Sequence, residues 1–366
     1  MNPSLSVYLD ALRFLAAFWV FLAHFQAWGF APPGLQAVLP ESGRDAVVIF
    51  FVLSGFVIAH TANRRDARTF SIDRLARLYS VALPIVLVST AIEVWGASNG
   101  FKGFERFYQL DNIYLYIPLY LTFLGDAWYL NEVPFANIPY WSLDFEFWYY
   151  VLFGVAFYMR GVARACLLGL ILLAVGFKLW LLWPLWLAGV WLHYNIERWP
   201  LPMAIARCIM IATVAAFGAM EAFGFDEWLW SVGGAPFGDN SALVLGNARF
   251  YLSDYATGLL AMAHLYAARY AELHYPPVII PAIRWAAGFT FTLYLAHGPL
   301  LTLFGIFCGK TAHDGLSALL LLIGVLAAVV AIGYLTERRV AAWRRGIDWT
   351  FGHLERLLPS LRRHVA

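Results

Sequence analysis

Arg13 and His24 stand eleven positions apart in LDALRFLAAFWVFLAH, residues 9–24. On an α-helix, eleven steps of 100° end about 20° from whole turns, so both side chains share one stripe roughly 16 Å long. A histidine with an ordinary pKa of about 6.5 can take a hydroxyl proton near neutral pH. An arginine offers a planar fork that matches phosphate oxygens. In PYWSLDFEFWYY, residues 139–150, Ser142 and Glu146 are i,i+4 neighbours on one face, and Asp144 points elsewhere. Arg74 and Arg77 in FSIDRLARLYS, and Tyr294 and His297 in FTLYLAHGPLL, are i,i+3 pairs. A carboxylate beside a histidine makes a general base for a hydroxyl, and paired arginines suit a phosphate.

Each of these residues also has a structural explanation. Arg13 can snorkel to the interface or pair with Asp10, and His24 can sit among outer headgroups. Glu146 can belong to an ion pair elsewhere in the bundle, and His297 can be a satisfied core histidine. Arg74 and Arg77 can be the positive charge expected of a cytoplasmic loop. Ser54 and Gly55 in FFVLSGFVIAH are small residues that let helices approach closely.

The elements that hold these side chains are membrane helices. The 366 residues are 61% hydrophobic and only 13% charged, outside the range of soluble domains. The apolar blocks match the length a helix needs to cross about 30 Å of hydrocarbon, and they do not alternate as barrel strands do. An ionisable residue inside such a block costs about 2.5–3.5 kcal/mol, which marks Arg13, His24 and Glu146 for function. Ten spans are expected near 6–28, 45–62, 76–97, 140–158, 165–181, 183–196, 205–223, 254–271, 284–307 and 316–335. Segment 113–124 is short and holds Pro118, which makes it re-entrant or interfacial, and the join at Pro184 reads as two short helices or one kinked one. The N-terminus has neither a basic n-region nor a signal-peptidase site, so the first helix is expected to remain.

Basic residues then orient the chain, because cytoplasmic loops carry the excess of Lys and Arg. Arg64, Arg65, Arg68, Arg74 and Arg77 in one loop, and Arg338 to Arg363 in the tail, place both termini in the cytoplasm. The fold class is an all-α polytopic membrane protein of about ten helices. Residues 1–366 form a single membrane domain with 341–366 as a basic cytoplasmic tail. Cys166, Cys208 and Cys308 occur singly and read as packing residues, and no metal site or nucleic-acid partner is expected. Trp128, Tyr129, Trp228 and Trp230 in external segments suit either sugar stacking or the membrane interface, with the interface preferred.

Taken in order, LDALRFLAAFWVFLAH, IFFVLSGFVIA, DRLARLYS, YWSLDFEFWYY and TLYLAHGPL resemble the acyltransferase-3 family of integral membrane acyltransferases, from about residue 5 to 340. The resemblance implies a ten-helix enzyme of the bacterial-type cytoplasmic (inner) membrane. It would move an acyl group, commonly acetyl, from cytosolic acyl-CoA to a hydroxyl of a carbohydrate or similar acceptor. Under this resemblance His24 is the base, Glu146 orients His24 or the acceptor, and Arg13 meets the CoA arm. Arg74 and Arg77 bind CoA phosphates, while Trp141, Ser142, Tyr294 and His297 line the site. Asp144, Ser80 and the GRDAVVIFF run depart from the family pattern, and the form is the minimal one without an appended esterase-like domain. A covalent acyl-enzyme route stays open, although no Ser or Cys adjoins His24. A polytopic transporter is the main alternative, since the same residue types mark substrate pathways.

Overall fold

The structure is a computed structural model that describes residues 3–99, 112–135, 137–308 and 314–357. Among the described residues every regular element is helical. Four helices carry the first half of the site: α1 (Pro3–Ala27), α3 (Arg44–Ala62), α4 (Ala67–Ser98) and α6 (Trp141–Tyr158). Short α2 (Pro33–Gln36) and α5 (Ile113–Leu121) lie between them. Next come α7 (Gly161–Val175), α8 (Phe177–Asn195), α9 (Met203–Ala222), α10 (Phe225–Gly234), α11 (Ser241–Leu245) and α12 (Tyr251–Ala268). The chain closes with α13 (Ile280–Ala287), α14 (Thr290–Cys308), α15 (Gly315–Leu335) and α16 (Val340–Leu357).

Among the described residues six helices are long and apolar enough to cross a bilayer, seven if α7 and α8 form one broken span. Ten such spans were expected, and the shortfall has identifiable causes. α6 and α12 carry Asp144, Glu146, Asp254, His264 and several tyrosines, so they are less apolar than a lipid-facing helix. The break near Pro184 falls instead at Gly176, where the chain bends by 118° and α8 runs on through Pro184. Gly176 has φ +84°, and a Cβ there would come within 2.8 Å of the Trp128 backbone nitrogen, so only glycine fits the bend. The expected span 284–307 divides into α13 and α14 around Gly288, where Arg338 packs and donates to the Trp285 carbonyl at 2.9 Å. Within segment 113–124 the helix Ile113–Leu121 has nine residues with Pro118 inside, too short to span.

α4 begins nine residues before its expected start, capped by Asp66, whose carboxylate accepts from the Thr69 backbone N–H at 2.9 Å. Arg74 and Arg77 therefore sit on a formed helix. Residues 341–357 of the expected tail are also helical. α16 packs against α4 through Arg344 to Asp73 at 2.6 Å and Arg68 to Asp348 at 2.5 Å, which brings the two basic segments to one end of the bundle. α3 and α8 approach most closely where Gly55 meets the Trp186 carbonyl and Gly189 meets the Val52 carbonyl, contacts that leave no room for a Cβ. Cys166 and Cys208, expected to pack inside, are exposed on the bundle surface, and the Cys308 side chain lies outside the described residues.

Candidate active site

The stripe on α1 opens onto two cavities. The first, of about 360 Å³, is walled by Arg13 of α1, Ser54 of α3, Arg74 and Arg77 of α4, Ser142, Glu146 and Tyr150 of α6, and Tyr294 of α14. The second, of about 870 Å³, is walled by Trp19 and His24 of α1, Arg44 and Asp45 of α3, Trp141 of α6, and residues from α9, α10 and α12. Val47 and Tyr294 line both. Tyr294 is thus a partition, and its hydroxyl is held by Ser142 at 2.7 Å and by donation to the Pro139 carbonyl at 3.0 Å.

The smaller cavity gathers three guanidinium groups on two helices. Arg77 is paired with Glu337 at 2.8 Å, and Glu337 also accepts from the backbone and hydroxyl of Thr292 at 2.9 and 3.0 Å. Arg13 and Arg74 have no hydrogen bond or ion pair among the described residues, and the Arg74 Nε is buried without a partner. Glu146 is the carboxylate on the wall, and it is engaged. Ser54 donates to it at 3.1 Å, and the Tyr150 hydroxyl, one turn along α6, donates to the same oxygen. The Trp186 indole N–H reaches Ser54 at 3.2 Å and ties this network to α8. Two unpaired guanidinium groups at one wall leave a cavity with surplus positive charge, suited to an anionic ligand.

The larger cavity has the opposite character. Glu41, Asp45, Glu221, Asp226, Glu227 and Asp254 line it, together with Trp19, Trp141, Trp230 and Phe250. Arg44 is the cation there; it bonds Asp254 through both nitrogens, with Nε at 2.7 Å, and lies over the rings of Trp141 and Phe250. Trp230 is therefore a cavity residue, whereas Trp128 is structural, its indole donating to the Leu173 carbonyl at 2.8 Å.

His24 lines the larger cavity and Glu146 the smaller, so the two do not meet. The group that holds His24 is His297: Nδ1 of His24 lies 2.8 Å from Nε2 of His297, with the rings stacked at 5.0 Å. His297 is fully buried and is not among the residues that wall either cavity. The sequence permits His24 and Glu146 at one depth, but depth does not specify which face of the neighbouring helix each one meets. Ser54 reads from the sequence as a helix-packing residue, and Tyr150 carries no role there. Tyr150 was open to detection, because it stands at i+4 from Glu146 just as Ser142 stands at i−4.

Asp144 belongs to neither cavity. It is buried and accepts the backbone N–H of Asp126 at 3.0 Å, and Asp126 in turn bonds Lys178 at 3.2 Å and Asn247 at 3.3 Å. This buried cluster ties the segment around Asp126 to α6 and α8.

The profile of a family described as an acyltransferase domain matches residues 6–338. An O-acetyl transferase of Shigella phage Sf6 is 27% identical over 151 residues, which is 40% of this chain and 44% of that protein. Acyltransferase MdmB of Streptomyces mycarofaciens is 33% identical over 152 residues, 40% of this chain and 37% of that protein. These matches span less than half the length of either relative. No solved structure shows significant similarity to the chain.

Proposed function

The chain belongs to the acyltransferase-3 family, and we propose that it moves an acyl group, acetyl in the simplest case, from acyl-CoA to a hydroxyl of a carbohydrate acceptor. The observation that carries this reading is the pairing of a guanidinium-lined cavity with a histidine-lined one across Tyr294, which with Val47 lines both. In this reading the basic end of the bundle faces the cytosol of a bacterial-type inner membrane, following the positive-inside rule. Acyl-CoA enters there, its phosphates on Arg74, Arg77 and Arg13. The acceptor occupies the larger cavity, where Trp141 and Trp230 offer faces for a sugar ring and the carboxylates accept hydrogen bonds from its hydroxyls.

For the two substrates to react, Tyr294 must release Ser142 and the Pro139 carbonyl and swing aside. His24 then takes the acceptor hydroxyl proton at Nε2, the ring nitrogen that is not bonded to His297. The acceptor oxygen attacks the thioester carbon, the C–S bond breaks, and the departing CoA thiolate receives the proton. Glu146 stays on the donor side, where it fixes Ser54 and Tyr150 beside the arginines.

Two cavities meeting at one aromatic partition also fit an alternating-access transporter. Purified protein in proteoliposomes with labelled acetyl-CoA decides between them. The enzyme releases CoA and forms an O-ester on a saccharide, whereas flux of label without CoA release would overturn acyl transfer.

A further inference from the structure

We propose that His297 is a positioning residue that locks His24 in the tautomer a general base requires, with Nδ1 protonated and Nε2 free. The proposal rests on the acyl-transfer reading for its catalytic consequence, but the tautomer assignment stands on hydrogen-bond geometry and burial. His297 Nδ1 lies 2.7 Å from the Leu293 carbonyl oxygen. A carbonyl only accepts, so Nδ1 of His297 carries a proton. The surroundings of His297 are the rings of Phe21, Tyr294 and His24, and no described carboxylate hydrogen-bonds or pairs with it. A fully buried imidazole without a counter-ion is neutral, since an unpaired charge is costly there. Its Nε2 is then a lone pair, 2.8 Å from Nδ1 of His24.

A hydrogen bond at that distance between two ring nitrogens needs one proton. His297 Nε2 has none to give, so His24 Nδ1 donates. That assignment leaves the lone pair of His24 on Nε2, the ring nitrogen that His297 does not bond. When Nε2 accepts the hydroxyl proton, His24 becomes a cation and its Nδ1–H bond to His297 becomes charge-assisted, which strengthens it. His297 thus occupies the place an aspartate takes in a Ser-His-Asp triad, as a neutral acceptor rather than an anion. No proton moves onto His297 in this scheme; the proton from the acceptor returns to the CoA thiolate.

The backbone explains why α14 can do this. His297 follows Leu293 by one helical turn, so its Nδ1 reaches the i−4 carbonyl of its own helix, and the ring is fixed before it meets α1.

The test uses the full chain in nanodiscs with acetyl-CoA and a saccharide panel, comparing wild type, H297L and H297Q. Leucine removes the acceptor for His24 Nδ1, whereas the glutamine amide oxygen can replace it. H297L is expected to lower kcat at least about tenfold, the usual effect of losing such a supporting bond, with KM for acetyl-CoA unchanged. H297Q is expected to restore most of kcat. Wild-type kcat in H297L, or equal losses in both variants, would overturn the positioning role. A second readout needs no turnover: ¹⁵N spectra of histidine-labelled protein, with the His24 signals identified by their absence in His24→Gln. An Nδ1–H tautomer at His24 that is lost in H297L supports the assignment, and an Nε2–H tautomer in wild type overturns it. Were wild type itself to release no CoA, acyl transfer would fail while the spectra still judged the tautomer.

Discussion

Arg74→Met separates ligand binding from fold support, because Arg74 has no hydrogen-bond or ion-pair partner among the described residues to abandon. Its Nε is buried and unpaired, and its guanidinium lines the smaller cavity beside Arg13. Removing it orphans no carboxylate, so the melting temperature should stay near wild type. The loss should appear in CoA binding instead. A hydrogen bond to a charged group contributes roughly 1.5–3 kcal/mol, which is about a tenfold to hundredfold rise in Kd. Arg77→Met should behave differently. It strands Glu337, which is only 3% exposed, after breaking a 2.8 Å ion pair. Breaking a buried pair costs about 3–5 kcal/mol, and the 40% exposure of Arg77 places this case toward the lower end. Calorimetric titration with acetyl-CoA and with a dephosphorylated analogue, alongside thermal melts, reads both effects. Unchanged Kd in Arg74→Met would refute the phosphate role and leave Arg74 as topological charge alone.

Lys178→Met should destabilise the protein by about 3–5 kcal/mol, since it leaves Asp126 buried beside Asp144 without its cation, and a fall in melting temperature checks this. Asp66→Ala should cost about 0.5–2 kcal/mol at neutral pH through loss of the α4 cap. Bonds from the Thr69 backbone and hydroxyl hold the Asp66 carboxyl below its ordinary range. Its contribution is therefore present above the ordinary carboxylate pKa of about 3.9 and is lost as pH falls through the lower folded value. Melts of wild type and Asp66→Ala should differ at pH 7 and converge in acid; a constant gap would contradict the cap assignment.

Much of the helical architecture is legible in the sequence because helix period and bilayer thickness act locally. The stripe of Arg13 and His24, the pairing of Arg74 with Arg77, and the close approach at Gly55 all follow from spacing within one helix. Ten similar spans do not follow, because α6 and α12 bury their polar residues against neighbours instead of presenting lipid-compatible surfaces. The break at Gly176 rather than Pro184 depends on the Trp128 backbone, nearly fifty residues away in sequence and adjacent in space. The partner of His24 is likewise a matter of helix-to-helix contact. Glu146 and His297 are equally available to a reader of the chain, and only the packing of α14 on α1 selects His297. The charge division between the cavities is also non-local, because the acids of the larger one come from α3, α9, α10 and α12 as well as the Glu41 loop.

The most direct measurement is transfer from [¹⁴C]acetyl-CoA to a saccharide panel by wild type and His24→Gln in nanodiscs, with acetyl-CoA affinity measured on the same samples. Base catalysis at His24 predicts a hydroxylamine-labile radiolabelled ester from wild type and a loss of roughly 10²–10⁴-fold in His24→Gln, with Kd for acetyl-CoA unchanged. Ester formation by His24→Gln at the wild-type rate would contradict it.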